Sequence, residues 1–143
     1  MTQEDLPRTE FAFPGALRDQ LVSAVLAGQK VSTTSLRREY ELEGSPLPEP
    51  GQRSVVVDSE NRPVAVIEIT SVKVVRLGDV DVRHAIDEGE GYTSVAEWRA
   101  GHEGFWHSDE IRRELGDPTF TVNDNTPVVL ERFRLIERLN DAN

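Results

Sequence analysis

The chain has no cysteine, one methionine and only two lysines, Lys30 and Lys73, against fourteen arginines. Without thiols it forms no disulfide, carries no thiolate nucleophile and builds no zinc–thiolate centre. It also lacks any uninterrupted apolar run of membrane-spanning length. Its first residues, Met1-Thr2-Gln3-Glu4-Asp5, carry acids where a secretory leader carries bases. A cytoplasmic protein with no membrane contact is the expectation. Positive charge is scarce: 16 Lys and Arg stand against 26 Asp and Glu, a formal net charge of −10. Broad phosphate contact depends on basic surface, so a long RNA footprint is disfavoured. No phosphate-cradling G-x-x-x-x-G-K loop, dinucleotide-binding glycine pattern or nucleophile-elbow serine occurs.

What is present suits a single domain spanning 1–143, because 143 residues at 37% hydrophobic content supply one modest core. Residues 1–10 are polar and read as a loose lead-in. Phe11 and Phe13 begin the packed region, and the tail 139–143 reads as frayed. Between 15 and 27, Leu17, Leu21, Val25 and Leu26 recur at helical spacing with Arg18, Asp19 and Gln20 between them. Gly28 is the stop signal, which leaves Lys30 just past a helix C-terminus, where positive charge is favoured. Residues 36–44 read as a short helical or irregular segment, and Pro46, Pro48 and Pro50 force an extended loop. Val55-Val56-Val57, a connection over 58–62 and the β-branched run 64–75 predict a hairpin, and 128–136 predicts a last strand.

A short helix falls within 79–87, and Gly89 and Gly91 form an elbow. A helical region over 94–115, bent around Gly101 and Gly104, starts at a capping box of Ser94 and Glu97. Strands and helices without regular alternation predict the α+β class.

Amide hydrolysis needs a nucleophile, a proton acceptor, a proton donor for the leaving nitrogen and support for an oxyanion. Thr33 supplies a hydroxyl. Lys30 serves as its base where desolvation lowers the ammonium pKa, a task arginine cannot perform. Glu90, between two glycines, is the first choice of shuttling carboxylate. Ser35 and Arg37 lie beside this segment, Tyr40 and Trp98 are suited to stacking on a base, and His102 to hydrogen-bonding one. Glu68 interrupts an apolar strand and calls for a partner such as Arg132; His84 reads as an isolated surface residue. His102-Glu103-Gly104-Phe105-Trp106-His107 superficially suggests H-E-x-x-H, but its second histidine is one residue too far along, so no metal site is expected. Nothing in the chain calls for a cofactor.

The segment Gly28-Gln29-Lys30-Val31-Ser32-Thr33, after Val25-Leu26-Ala27, reads G-x-K-x-x-T. It is followed in order by Glu43-Gly44-x-Pro46-Leu47-Pro48-x-x-Gly51, Val64-Ala65-Val66-Ile67-Glu68, Glu88-Gly89-Glu90-Gly91, Trp98-Arg99 with His102, and Val128-Val129-Leu130-Glu131-Arg132-Phe133. This succession resembles the longer bacterial ASCH-domain proteins over about residues 15–136. The resemblance implies a PUA-like fold, a small mixed β-barrel flanked by helices, with a cleft near the signature loop. The family includes RNA binders, a ribonuclease and an amidohydrolase acting on N4-acetylcytidine. Its amidohydrolase branch implies a Lys, Thr and Glu set, carried over to Lys30, Thr33 and Glu90, where the spacing of Glu90 to Thr93 matches. Thr34-Ser35-Leu36 stand where those enzymes have an arginine after the threonine, so the substrate differs more readily than the fold. The leading expectation is an amidohydrolase for an N4-acylated cytidine or related nucleoside or base. The alternatives are a non-catalytic RNA-binding module and a ribonuclease.

Overall fold

The computed structural model describes residues 6–139. The β-branched runs form β3 (Arg53–Val57), β4 (Pro63–Arg76) and β5 (Pro127–Arg138), joined at the edges by β1 (Arg8–Thr9) and β2 (Ser32–Leu36). The helices are α1 (Ala16–Leu26), α2 (Arg37–Glu43), α3 (Val82–Asp87), α4 (Val95–Trp106) and α5 (Asp109–Leu115). The sheet is five-stranded and mixed, in the order β1-β3-β4-β5-β2; β1 runs parallel to β3 and the other pairs are antiparallel. This is an α+β, PUA-like architecture. Among the described residues no helix is long and apolar enough to cross a membrane.

Each sheet face buries its own apolar set. On one, Leu21, Val22 and Val25 of α1 pack with Ile67, Ile69 and Phe133. On the other, Leu36 and Val128 pack with Trp98, Trp106, Ile111 and Leu115 of the later helices. Register shifts in β4 between Val66 and Ile67 and between Ile69 and Ser71 let this long strand serve both layers, since each bulge resets which side chains face which core.

Several expectations are corrected. Arg8 and Thr9, read as loose lead-in, pair with Val55 and Val56, polar residues being tolerated on an edge strand. Residues 1–5 and 140–143, half of the proposed lead-in and most of the tail, lie outside the described residues, while Leu139, read as frayed, donates from its amide to Val64 O at 3.0 Å. The helix over 94–115 is two helices, divided at His107 and Ser108 and not at the glycines. Ser108 accepts from the Ile111 amide and so starts α5. Gly101 instead lies under Tyr92, whose hydroxyl leaves no room for a Cβ. Ser94 does cap α4, accepting from Glu97 N at 3.1 Å, while the Glu97 carboxylate reaches back to Thr93.

Arg18, read as part of a polar helix face, is 3% exposed. Its guanidinium donates to the carbonyls of Phe11, Ala12 and Asp58, fixing the segment before α1 as one wall of the cleft described next. Glu68 takes Arg53 and Arg134 in place of Arg132, because the register sets Arg134 directly opposite it and the bulge moves Arg132 to Ser71. Arg132 pairs with Asp87.

Candidate functional site

A cleft of about 800 Å³ opens between β2 and the segment from β1 to α1, with α4 along its side, so both edge strands border it. Lys30, Thr33, Ser35, Tyr40, Glu90 and His102 border this one cleft, whereas Arg37 and Trp98 do not. Arg37 is exposed and pairs with Glu41. Trp98 is fully buried behind His102, its ring stacked on the imidazole at 4.3 Å, so it reaches a ligand only through that histidine.

The hub of the site is a residue the sequence reading passed over. Glu88 is 1% exposed and lies at the end of α3. Its Oε2 accepts from the Thr34 hydroxyl at 2.6 Å and from Trp98 Nε1 at 2.9 Å. Its Oε1 accepts from His102 Nε2 at 3.1 Å and lies 3.7 Å from Lys30 Nζ. Burial disfavours the carboxylate, but hydrogen bonds from His102 and His84 and the Lys30 charge outweigh it and hold Glu88 well below its usual range. His84, expected at the surface, is buried at 5%, with Nε2 at 2.7 Å from the Thr34 hydroxyl and 3.3 Å from Glu88. The spacing of His84 to Glu88, four residues apart on a helical segment, was the available signal.

Lys30 is buried among acceptors. Its Nζ donates to Ser32 O at 2.8 Å and to Glu88 O at 3.3 Å, beside the Glu88 carboxylate, and sits 5.4 Å over the Phe11 ring. Burial lowers its pKa, and the charges of Glu88 and Glu90 only partly restore it. His102 donates from Nδ1 to the Trp98 carbonyl and from Nε2 to ionised Glu88, which requires both ring protons. Burial opposes that charge, yet the Glu88 contact prevails and raises His102. Glu90 is the other extreme: burial raises its pKa, with Lys30 opposing and the Glu88 charge adding, so of the two carboxyls it is the one pushed toward the protonated form. Two carboxylates in one pocket have thus been driven apart, the arrangement general acid–base chemistry uses.

The Thr33 hydroxyl faces the other side of β2, where no described residue hydrogen-bonds it, and no hydrogen bond joins it to Lys30. Thr33 lies opposite Glu131, whose Oε2 accepts from Tyr40 at 2.9 Å. Burial raises Glu39, Glu131 and Tyr40 alike at this end of the cleft. Glu88, Glu90 and His102 each offer a ligand atom within 4.8 Å of the others, a spacing open to a metal ion. Lys30 already provides the positive charge there, and His102 Nε2 is spent on Glu88, so an added cation has to displace both contacts.

Gly89 fixes how these groups meet. Its φ is +73°, and a Cβ there falls 2.7 Å from Gln29 O and 2.8 Å from Lys30 Cα, both backbone atoms. Gly89→Ala is therefore expected to destabilise the fold by about 2–4 kcal/mol, combining backbone strain with overpacking, as read by urea unfolding. Unchanged stability contradicts this close approach.

The family model described as "ASCH domain" matches residues 9–137. Among solved structures, the chain is similar to an ASCH domain from Lactobacillus crispatus, with 28% identity, 91% of this chain and 79% of that one covered, and a TM-score of 0.78. A protein from Enterococcus faecalis gives 22% identity, 92% and 77% coverage, and a TM-score of 0.78. A mutant of ZmASCH from Zymomonas mobilis gives 10% identity, 95% and 74% coverage, and a TM-score of 0.50. The last two likenesses show the fold alone. No curated protein sequence matches the chain.

Proposed function

The chain belongs to the ASCH domain family, and from that premise we propose that it is a metal-independent amidohydrolase removing the acyl group from an N4-acylated cytidine or related base. The observation that carries this reading is one cleft bordered by Thr33, Lys30 and Glu90, in which burial pushes the Glu90 carboxyl up and the Lys30 ammonium down from their ordinary values. Lys30 Nζ and the Thr33 hydroxyl are not hydrogen-bonded to each other, so Lys30 as the neutral amine takes the Thr33 proton through a water in the cleft while Oγ bonds to the acyl carbon. Glu90 then protonates the exocyclic nitrogen as the carbon–nitrogen bond breaks. Water adds to the acyl-threonine ester, giving its proton to Glu90, and Lys30 returns the other to Thr33. The net change is amide plus water to acid plus amine.

The pH dependence follows from the two directions of shift. Turnover requires Lys30 unprotonated and Glu90 protonated, so the rate rises as Lys30 loses its proton and falls as Glu90 loses its own. Burial moves Lys30 down from 10.5 and Glu90 up from 4.5, so a bell-shaped kcat profile is expected whose two apparent pKa values are shifted in those directions and belong to the pair. A profile flat from pH 5 to 10 contradicts this.

One observation favours a second reading. Lys30 Nζ has three acceptors around it, the arrangement of a structural charge, and suits a non-catalytic module that binds a base or RNA in the same cleft. A ribonuclease is less favoured, because seven glutamates border the cleft against Arg8, Arg18 and Lys30, a poor setting for phosphate. Incubation with N4-acetylcytidine and with short RNAs separates the three by deacylation, saturable binding without turnover, or strand cleavage.

A further inference from the structure

The ladder between β2 and β5 leaves one residue's backbone open to the cleft. Phe133 N donates to Val31 O, and the register pairs Thr33 with Glu131 and Ser35 with Val129. By the antiparallel alternation, those residues aim their amides at β5, while Ser32, Thr34 and Leu36 aim theirs outward. Two outward groups have identifiable partners on the cleft side: Ser32 O accepts from Lys30 Nζ at 2.8 Å, and Leu36 N donates to Glu39 Oε1 at 3.2 Å. Lys30 and Glu39 both border the cleft, and Thr34 lies between these anchors. Its N–H and C=O point the same way, and no described residue bonds either one. An unpaired donor and acceptor on one residue of an edge strand form a two-point recognition element.

We propose that the Thr34 N–H and C=O, at the open edge of β2, read a heterocycle carrying a ring-nitrogen acceptor next to an exocyclic N–H donor. The N–H donates to the ring nitrogen and the C=O accepts from the exocyclic group. In an N4-acylated cytosine these are N3 and the amide N–H, and the acyl carbon is attached to the same exocyclic nitrogen, which brings it to the signature segment. The inference rests on the nucleobase reading above and adds the atoms that select the base. An oxyanion hole is the rival use of the N–H, but the carbonyl beside it would repel developing negative charge, whereas it completes a pair with a donor–acceptor edge.

Proline tests this because it removes an N–H and is tolerated on an edge strand whose N–H takes no part in the ladder. Cytidine and 3-deazacytidine, which lacks the N3 acceptor, are titrated by calorimetry, with folding checked by circular dichroism. Wild type is expected to bind cytidine at least about tenfold more tightly than the deaza analogue. Thr34→Val, which loses the hydroxyl and keeps the N–H, retains that preference; Thr34→Pro loses it. Equal binding of the two nucleosides by wild type overturns the inference, whether or not the proline variant folds. A folded Thr34→Pro that keeps the preference also overturns it, as does one that binds cytidine normally and loses only kcat, the oxyanion result. Because the ligands carry no acyl group, discrimination without any deacylation sustains this inference while the catalytic reading falls.

Discussion

Glu88→Ala is expected to destabilise the protein by about 3–5 kcal/mol, the range for removing one member of a buried charge pair. The cost arises from what remains: Lys30 is 2% exposed and keeps only carbonyl acceptors, while Trp98 Nε1 and the Thr34 hydroxyl lose theirs. Glu88→Gln preserves the shape and an acceptor oxygen, so a smaller loss is expected. The pH dependence of the wild-type-to-alanine difference has a definite sign. Glu88 is held below 4.5 in the folded state, so its contribution is present above that value and lost as pH falls through the folded pKa. His102 is raised above 6.5, so its contribution is full below that value and lost as pH rises through the folded pKa. The difference is therefore largest between about pH 4.5 and 6.5 and narrows on either side. Urea unfolding across pH measures it, and a change below 1 kcal/mol removes Glu88 from the centre of the site.

The second large effect is catalytic. Lys30→Arg keeps the positive charge but abolishes proton transfer, because a guanidinium stays charged at any working pH. Turnover of an N4-acylated cytidine is expected to fall at least about 100-fold, the lower end for removing a general base. Thr33→Val deletes the hydroxyl while keeping the branched shape, with an equal expected loss. The pair is more informative than either alone, since Arg at a buried site brings a packing cost that Val on the cleft-facing side of β2 does not. Single-turnover assays on both variants, with folding verified, read the effect. Near wild-type rates contradict the assigned nucleophile and base; a collapse in Thr34→Val with Thr33→Val intact moves the nucleophile to the hydroxyl held by Glu88 and His84.

The elements that periodicity encodes were legible. The hairpin, the last strand, the stop at Gly28 and the cap at Ser94 all follow from patterns local to the chain. β2 was not, because Ser32-Thr33-Thr34-Ser35 is polar on both faces: one side meets Glu88 and His84, the other meets Glu131, and both border the cleft, so no alternation marks it. For the same reason the signature showed that Lys30 and Thr33 are near in sequence but not that Lys30 Nζ is bound at the open edge of β2, on Ser32 O, with no hydrogen bond to Thr33. Glu88 was hidden by Glu90, since both sit in one glycine-flanked run and only the turn at Gly89 decides which is buried. His84 and Arg18 were misread because a polar residue's burial depends on partners distant in sequence, here Thr34 and the Asp58 carbonyl, with the Phe11 and Ala12 carbonyls beside it.

The central claim, that this cleft deacylates a modified pyrimidine, meets its most direct test in cytidine release from N4-acetylcytidine by the purified protein, followed chromatographically in the presence of chelator. The account predicts cytidine formed in proportion to protein, with release lowered at least about 100-fold by Lys30→Arg. Release that is absent from wild type, or equal in wild type and Lys30→Arg, contradicts it.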